Sequence, residues 1–160
     1  GQHHFDPEQW TYAKDYTSAV EITPFAPPSH PEVTGMWSWV ELKYADGFRF
    51  VMESGEWGPK YDRAPIRDVS MNDLSSEDQA KVKAMPDPEP LLSFGEAVKQ
   101  RKKAGGHAEA AHRAACILHL ANLAIRLGRK LNYDPDKEVF VNDEEANRFL
   151  NVPMSAPWRL

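Results

Sequence analysis

A single cysteine, Cys116, in 160 residues leaves no partner for an intramolecular disulfide and no multi-cysteine metal site. No apolar run approaches the roughly 18 residues that suggest a bilayer span, so no membrane partner is expected. The chain has no Gly-x-Gly-x-x-Gly, no Walker loop and no Gly-x-Ser-x-Gly, and nothing in it is expected to cradle a dinucleotide pyrophosphate. The opening Gly1-Gln2-His3-His4-Phe5-Asp6 lacks the basic and apolar regions of a signal peptide. Aromatics are missing from both basic clusters, Lys99, Arg101, Lys102, Lys103 and Arg126, Arg129, Lys130. Both fall where a helix would end and cations suit its macrodipole, which argues against a nucleic-acid partner.

What is present can fold. Hydrophobic residues make up 41% and charged residues 27%, enough for a core, and the length suits one domain over residues 1–160. A mean hydropathy of -0.61 and 13 prolines add extended loop, and 7 of the 13 fall in residues 24–31 and 86–90. The net charge of -5 is uneven: residues 1–80 carry 6 Lys/Arg against 14 Asp/Glu, or -8, and residues 81–160 carry 13 against 10, or +3.

Asp6-Pro7-Glu8-Gln9 has the form of a capping box with proline at the first helical position. Val20-Glu21-Ile22 is a short strand candidate, and the proline run from Pro24 to Pro31 predicts an extended connector. Residues 35–54 give the clearest β signal, two strands around Asp46-Gly47, a pair suited to a type I′ hairpin turn. Alternation places Val40, Leu42 and Tyr44 on one face and Trp37 and Trp39 on the other, so cover is expected on both faces. From Gly55 to Pro90 only a short helix near Ser76–Ala84 is legible. Leu91 to Lys102 reads as a helix with Leu92, Phe94 and Val98 inward. His107 to Leu131 reads as a long, largely buried helix whose small Ala114 and Ala121 permit close approach. Asn132 to Pro135 reads as a tail leading to a short strand at Glu138–Val141, then a last helix capped by Asn142 or Asp143.

Among groups that could carry chemistry, His3 and Asp6 share a face if the first helix starts before Pro7, and a histidine there can act as general acid or base. The competing readings are a purification-tag remnant or a frayed terminus. His112 and His119, seven apart on the long helix, lack metal-pair spacing and read as satisfied core histidines. Cys116 reads as inert, His107 as a helix-start residue and His30 as part of the connector. Glu53 and Glu56, at the end of a strand, are a weak carboxylate pair.

Several segments together resemble the Gfo/Idh/MocA family of NAD(P)-dependent oxidoreductases, in its bacterial branch. These are Gly1-Gln2-His3-His4-Phe5-Asp6-Pro7-Glu8-Gln9-Trp10; Phe94 to Lys102; His112-Arg113-Ala114-Ala115 through Leu118-His119-Leu120-Ala121-Asn122 to Arg129; and Asp143-Glu144-Glu145-Ala146-Asn147 with Ala156-Pro157-Trp158-Arg159-Leu160. The resemblance implies an α+β domain, two layers, with an open, mostly antiparallel sheet covered by helices. It implies the C-terminal substrate-binding and oligomerisation domain of an enzyme whose N-terminal Rossmann domain, a partner of this one, holds NAD or NADP. His3 falls on the family's catalytic histidine, with His4, Asp6 and His112 expected near a sugar-like or polyol substrate, and a homo-oligomer is expected through the sheet. The family's aspartate four residues before that histidine and its Lys-Pro motif are absent from the chain. The chain alone is therefore expected to bind no cofactor and to be inactive. The alternatives are an NAD-dependent glycosidase of the same fold and a non-catalytic, sheet-mediated binding module. Compartment is not legible.

Overall fold

The structure, a computed structural model, describes residues 2–27, 37–55, 57–63, 70–87, 89–151 and 156–157. His30, Glu56 and the closing Trp158-Arg159-Leu160 lie outside them. The chain divides into two compact units, Gly1–Tyr61 with Ala108–Leu160, and Asp62–His107.

The larger unit is built on five antiparallel strands. In chain order they are β1 (Glu21–Phe25), β2 (Trp39–Lys43), β3 (Arg49–Glu53), β4 (Leu131–Asp134) and β5 (Val139–Phe140), arranged β3-β2-β1-β4-β5. Register puts Ile22 opposite Leu42 and Leu131, Leu42 opposite Phe50, and Val40 opposite Met52. These residues are all buried, so one face of the sheet is apolar. Helix α4 (Ala108–Leu127) lies across β1 and β2 and buries Ala114, Ile117, Leu120, Ala121 and Ala124. The two small residues Ala114 and Ala121 let it approach closely, as their spacing suggests. Helix α1 (Gln2–Thr11) rests beside α4 and sends Phe5 edge-on to Phe50 at 5.8 Å. Helix α5 (Glu144–Asn147) closes the core with Ala146. Each of the largest buried side chains contributes about 1.5–3 kcal/mol. The open antiparallel sheet with helices on its apolar face is the α+β architecture expected from the sequence.

Several local expectations are corrected. Helix α1 starts at Gln2, with Pro7 inside it and Asp6 in mid-helix rather than at a cap. The contact of Phe5 with Phe50 keeps the residues before Asp6 helical, at the cost of the bond Pro7 cannot donate. Pro24 and Phe25 belong to β1 rather than to a connector; β4 pairs only with Glu21 and Ile22, so beyond Ile22 that side of β1 is an edge, where proline is tolerated. Leu131–Asp134 is a strand, not a tail.

The hairpin turn is not type I′. Tyr44 N–H donates to the Phe48 carbonyl (2.8 Å) and Gly47 N–H to the Tyr44 carbonyl (3.0 Å), and only Gly47 has positive φ, +88°. This is a three-residue loop, a type I turn followed by a left-handed glycine bulge, with Asp46 accepting from Phe48 N–H at 3.0 Å.

On the other face of the sheet, Trp39 stacks on Phe25 (5.1 Å, 9°), and Trp57 and Tyr61 close around them at 5.7 and 5.0 Å. Gly58 holds φ +73°, and a Cβ there would come within 3.3 Å of the Phe25 ring, so glycine lets the chain after Trp57 pass close to it. Part of the expected cover for Trp39 therefore comes from its own chain. Trp37 precedes the strand, escapes its alternation and packs against the core instead.

In the second unit, α2 (Ser76–Ala84) is capped by Ser75 and α3 (Phe94–Gln100) by Ser93. Leu91 and Phe94 are 84% and 80% exposed and Val98 is exposed, against the expectation that Phe94 and Val98 turn inward. Ser93 as cap starts the helix at Phe94, and two turns then bury only Ala97.

Candidate functional site

Two places in the larger unit gather chemistry. The first is the exposed face of α1. Phe5 and Gln9 turn toward the core, and His3, Asp6 and Trp10, three and seven residues on, lie on the other side of the helix. His3 is exposed, Asp6 half-buried and Trp10 61% exposed. His4 tilts against His3, ring centroids 3.9 Å apart at 41°. Helical geometry thus gathers an imidazole, a carboxylate and an indole on one open surface. The spacing of His3 and Asp6 was legible in the sequence; Trp10 was missed, although its seven-residue offset from His3 is the signal that finds it.

The second is a groove of about 700 Å3 along α4, facing β4, β5 and the residues after α5. Both histidines there are exposed rather than core residues: they fall on the side of α4 nearly opposite its buried apolar stripe. His112 Nε2 donates to Glu138 Oε1 at 2.7 Å, and Arg113 reaches the same oxygen at 3.2 Å. Glu138 holds φ +55° in the hairpin between β4 and β5, where Asp134 Oδ1 accepts from the N–H groups of Asp136 and Lys137. That left-handed turn aims the carboxylate at α4, a placement no sequence pattern announces.

Burial works against the charge of Arg113, but its bond to Glu109 (2.8 Å) and the charges of Glu109 and Glu138 outweigh this and raise its pKa. Burial, with the charge of Glu138, raises the Cys116 thiol. The sulfur lies 3.5 Å from His112 Nε2, the nitrogen already given to Glu138, and 3.9 Å from Nδ1. The raised thiol disfavours the thiolate that a Cys–His–acid nucleophile needs, in keeping with the apolar setting of Cys116. Among the described residues, no three His, Cys, Asp or Glu side chains converge to hold a metal ion, and no helix is long and apolar enough to cross a membrane.

The structure keeps His3, His4 and Asp6 together on α1 and places His112 in the α4 groove, whose lining includes none of the three. Among the described residues the sheet has only antiparallel neighbours, and no strand leads through a glycine-rich turn into a helix. Among the described residues, none forms the glycine turn at a helix N-terminus that cradles a dinucleotide pyrophosphate.

No curated protein matches the chain, and no solved structure does. Residues 1–160 match the oxidoreductase family's C-terminal alpha/beta domain, of Gfo/Idh/MocA type. With the open antiparallel sheet and its helix-covered face in place, the chain belongs to the Gfo/Idh/MocA oxidoreductases as their C-terminal α/β domain.

Proposed function

We propose that this domain presents the substrate-side machinery of an enzyme that moves a hydride between NAD(P) and the carbinol carbon of a sugar or polyol. The observation that carries the reading is the exposed His3–Asp6–Trp10 face of α1. In the oxidising direction His3 takes the hydroxyl proton as the carbonyl forms, and returns it in reduction. Asp6, one turn on, accepts hydrogen bonds from a neighbouring hydroxyl, His4 flanks it, and the Trp10 ring offers an apolar plate for the C–H face of a sugar ring. NAD(P), which the family generally uses, supplies the hydride chemistry from a nucleotide domain partnering this one.

Self-association through the sheet is part of the same proposal, and the aromatic face around Phe25 and Trp39, opposite the helices, supports it. The domain alone binds no NAD and turns over no substrate. Two measurements test the reading. Calorimetry of the isolated chain with NAD is expected to show no binding, and stoichiometric binding would contradict the assignment. An oxidoreductase carrying this domain is expected to consume free NAD(P) with a polyol; release of an aglycone with no net redox would make it a glycosidase instead.

A further inference from the structure

The α4 groove holds recognition capacity that the α1 face does not use. Its single acid, Glu138, is already met by His112 and Arg113. Further along the helix His119, Asn122 and Arg126 recur at the spacing that puts them on one face. All three are exposed, and none of their side chains makes a hydrogen bond or ion pair among the described residues. The Arg126 guanidinium sits over the Phe149 ring, 5.2 Å from its centroid. That contact helps hold the guanidinium in place and consumes none of its N–H groups, so the fork that grips a carboxylate or phosphate stays available. Leu123, Val139 and Phe149 give the groove an apolar wall, and its volume is that of a small-molecule site.

With its acid neutralised and a guanidinium unpaired, the groove favours an anion; with an amide and an imidazole one and two turns back, it favours hydroxyls beside that anion. We propose that the α4 groove binds a small sugar derivative bearing an oxyanion, the carboxylate or phosphate on Arg126 and the hydroxyls against Asn122 and His119. The site is separate from the α1 face and does not depend on the role of His3.

The test is titration of the chain with glucuronate, glucose 6-phosphate, glucose and inorganic phosphate, followed by calorimetry and backbone-amide NMR. Saturable binding is expected for glucuronate or glucose 6-phosphate, and which of them binds decides between carboxylate and phosphate. Amide shifts should cluster in the last two turns of α4 and at Phe149–Asn151. Arg126→Gln should weaken binding about tenfold or more, the loss expected for a charged hydrogen-bonded pair. Arg126→Lys, which keeps the charge and loses the fork, should fall between. Asn122→Ala should weaken the sugar anions alone, and Lys99→Gln, outside the groove, should change nothing. Glucose binding as tightly as the anions, phosphate binding as tightly as the sugar anions, full affinity in Arg126→Gln, or no saturable binding of any probe would each overturn the proposal.

Discussion

The side-chain amide of Asn147 makes to Phe140 the two hydrogen bonds a neighbouring strand would make. Phe140 N–H donates to Asn147 Oδ1 at 2.7 Å, and Asn147 Nδ2 donates back to the Phe140 carbonyl at 2.8 Å. A two-residue strand at the edge of the sheet is thereby closed by α5, and the buried Phe140 is held in register with Tyr133. Asn147→Ala removes both bonds and leaves two backbone groups part-buried. A loss of about 2 kcal/mol is expected, read as a lower urea midpoint; a midpoint unchanged from the parent would show that water replaces the amide.

Just before α5, Asp143 caps the helix by accepting from Ala146 N–H at 3.1 Å and is gripped by Arg129 through both terminal guanidinium nitrogens. The hydrogen bond from Arg129, helped by that from Ala146, holds the Asp143 carboxyl below its ordinary 3.8. A lowered folded-state pKa stabilises above the unfolded value, and the contribution is lost as pH falls through the folded one. Asp143→Asn should therefore flatten the acid limb of the stability curve below about pH 4. An acid limb as steep as the parent's would place the sensitivity elsewhere.

Tyr44 is buried with its hydroxyl unpaired; Gln9 faces it without completing a hydrogen bond. Burial pushes the phenol from 10.0 up to about 12. Because the folded pKa is the higher one, the associated stability is full below pH 10.0 and drains away up to about 12. Tyr44→Phe should be neutral or stabilising at neutral pH, having removed an unsatisfied group, and should decline less steeply in alkali. Some alkaline decline remains, since Tyr133 is also raised to about 12. A loss above about 1 kcal/mol at neutral pH would mean the hydroxyl has found a partner, and chemical denaturation at both pH values measures this.

Gly47→Ala puts a side chain at φ +88° with nothing within 4 Å of the new Cβ, so backbone strain alone acts. About 1 kcal/mol should be lost by thermal melting. No loss would mean that the hairpin can exchange its bulged loop for another turn.

The strands were legible where burial follows alternation: Val40, Leu42 and Tyr44 all face the core as the period-two pattern dictates. The turn between them was not, because Asp-Gly suits both a type I′ turn and a type I turn with a glycine bulge, and pairing register chooses between them. The start of α1 was misplaced for a similar reason, a long-range contact of Phe5 outweighing a local cap. Helix α3 has too few turns for its apolar residues to define an inward face. Of the two candidate sites, the face with His3 and Asp6 follows from helical spacing. The groove does not, since Glu138 reaches His112 across a left-handed turn 26 residues away in sequence.

The role proposed for His3 is to carry the proton of the reacting hydroxyl. Its most direct test is kcat for NAD(P)-linked oxidation of a polyol by the oxidoreductase that contains this domain, compared with the His3→Asn variant. His3 is exposed on α1, so the substitution should leave folding intact. The expected result is a fall of about 10²–10⁴-fold in kcat with the thermal midpoint unchanged. Equal turnover in a folded His3→Asn enzyme would contradict the claim outright.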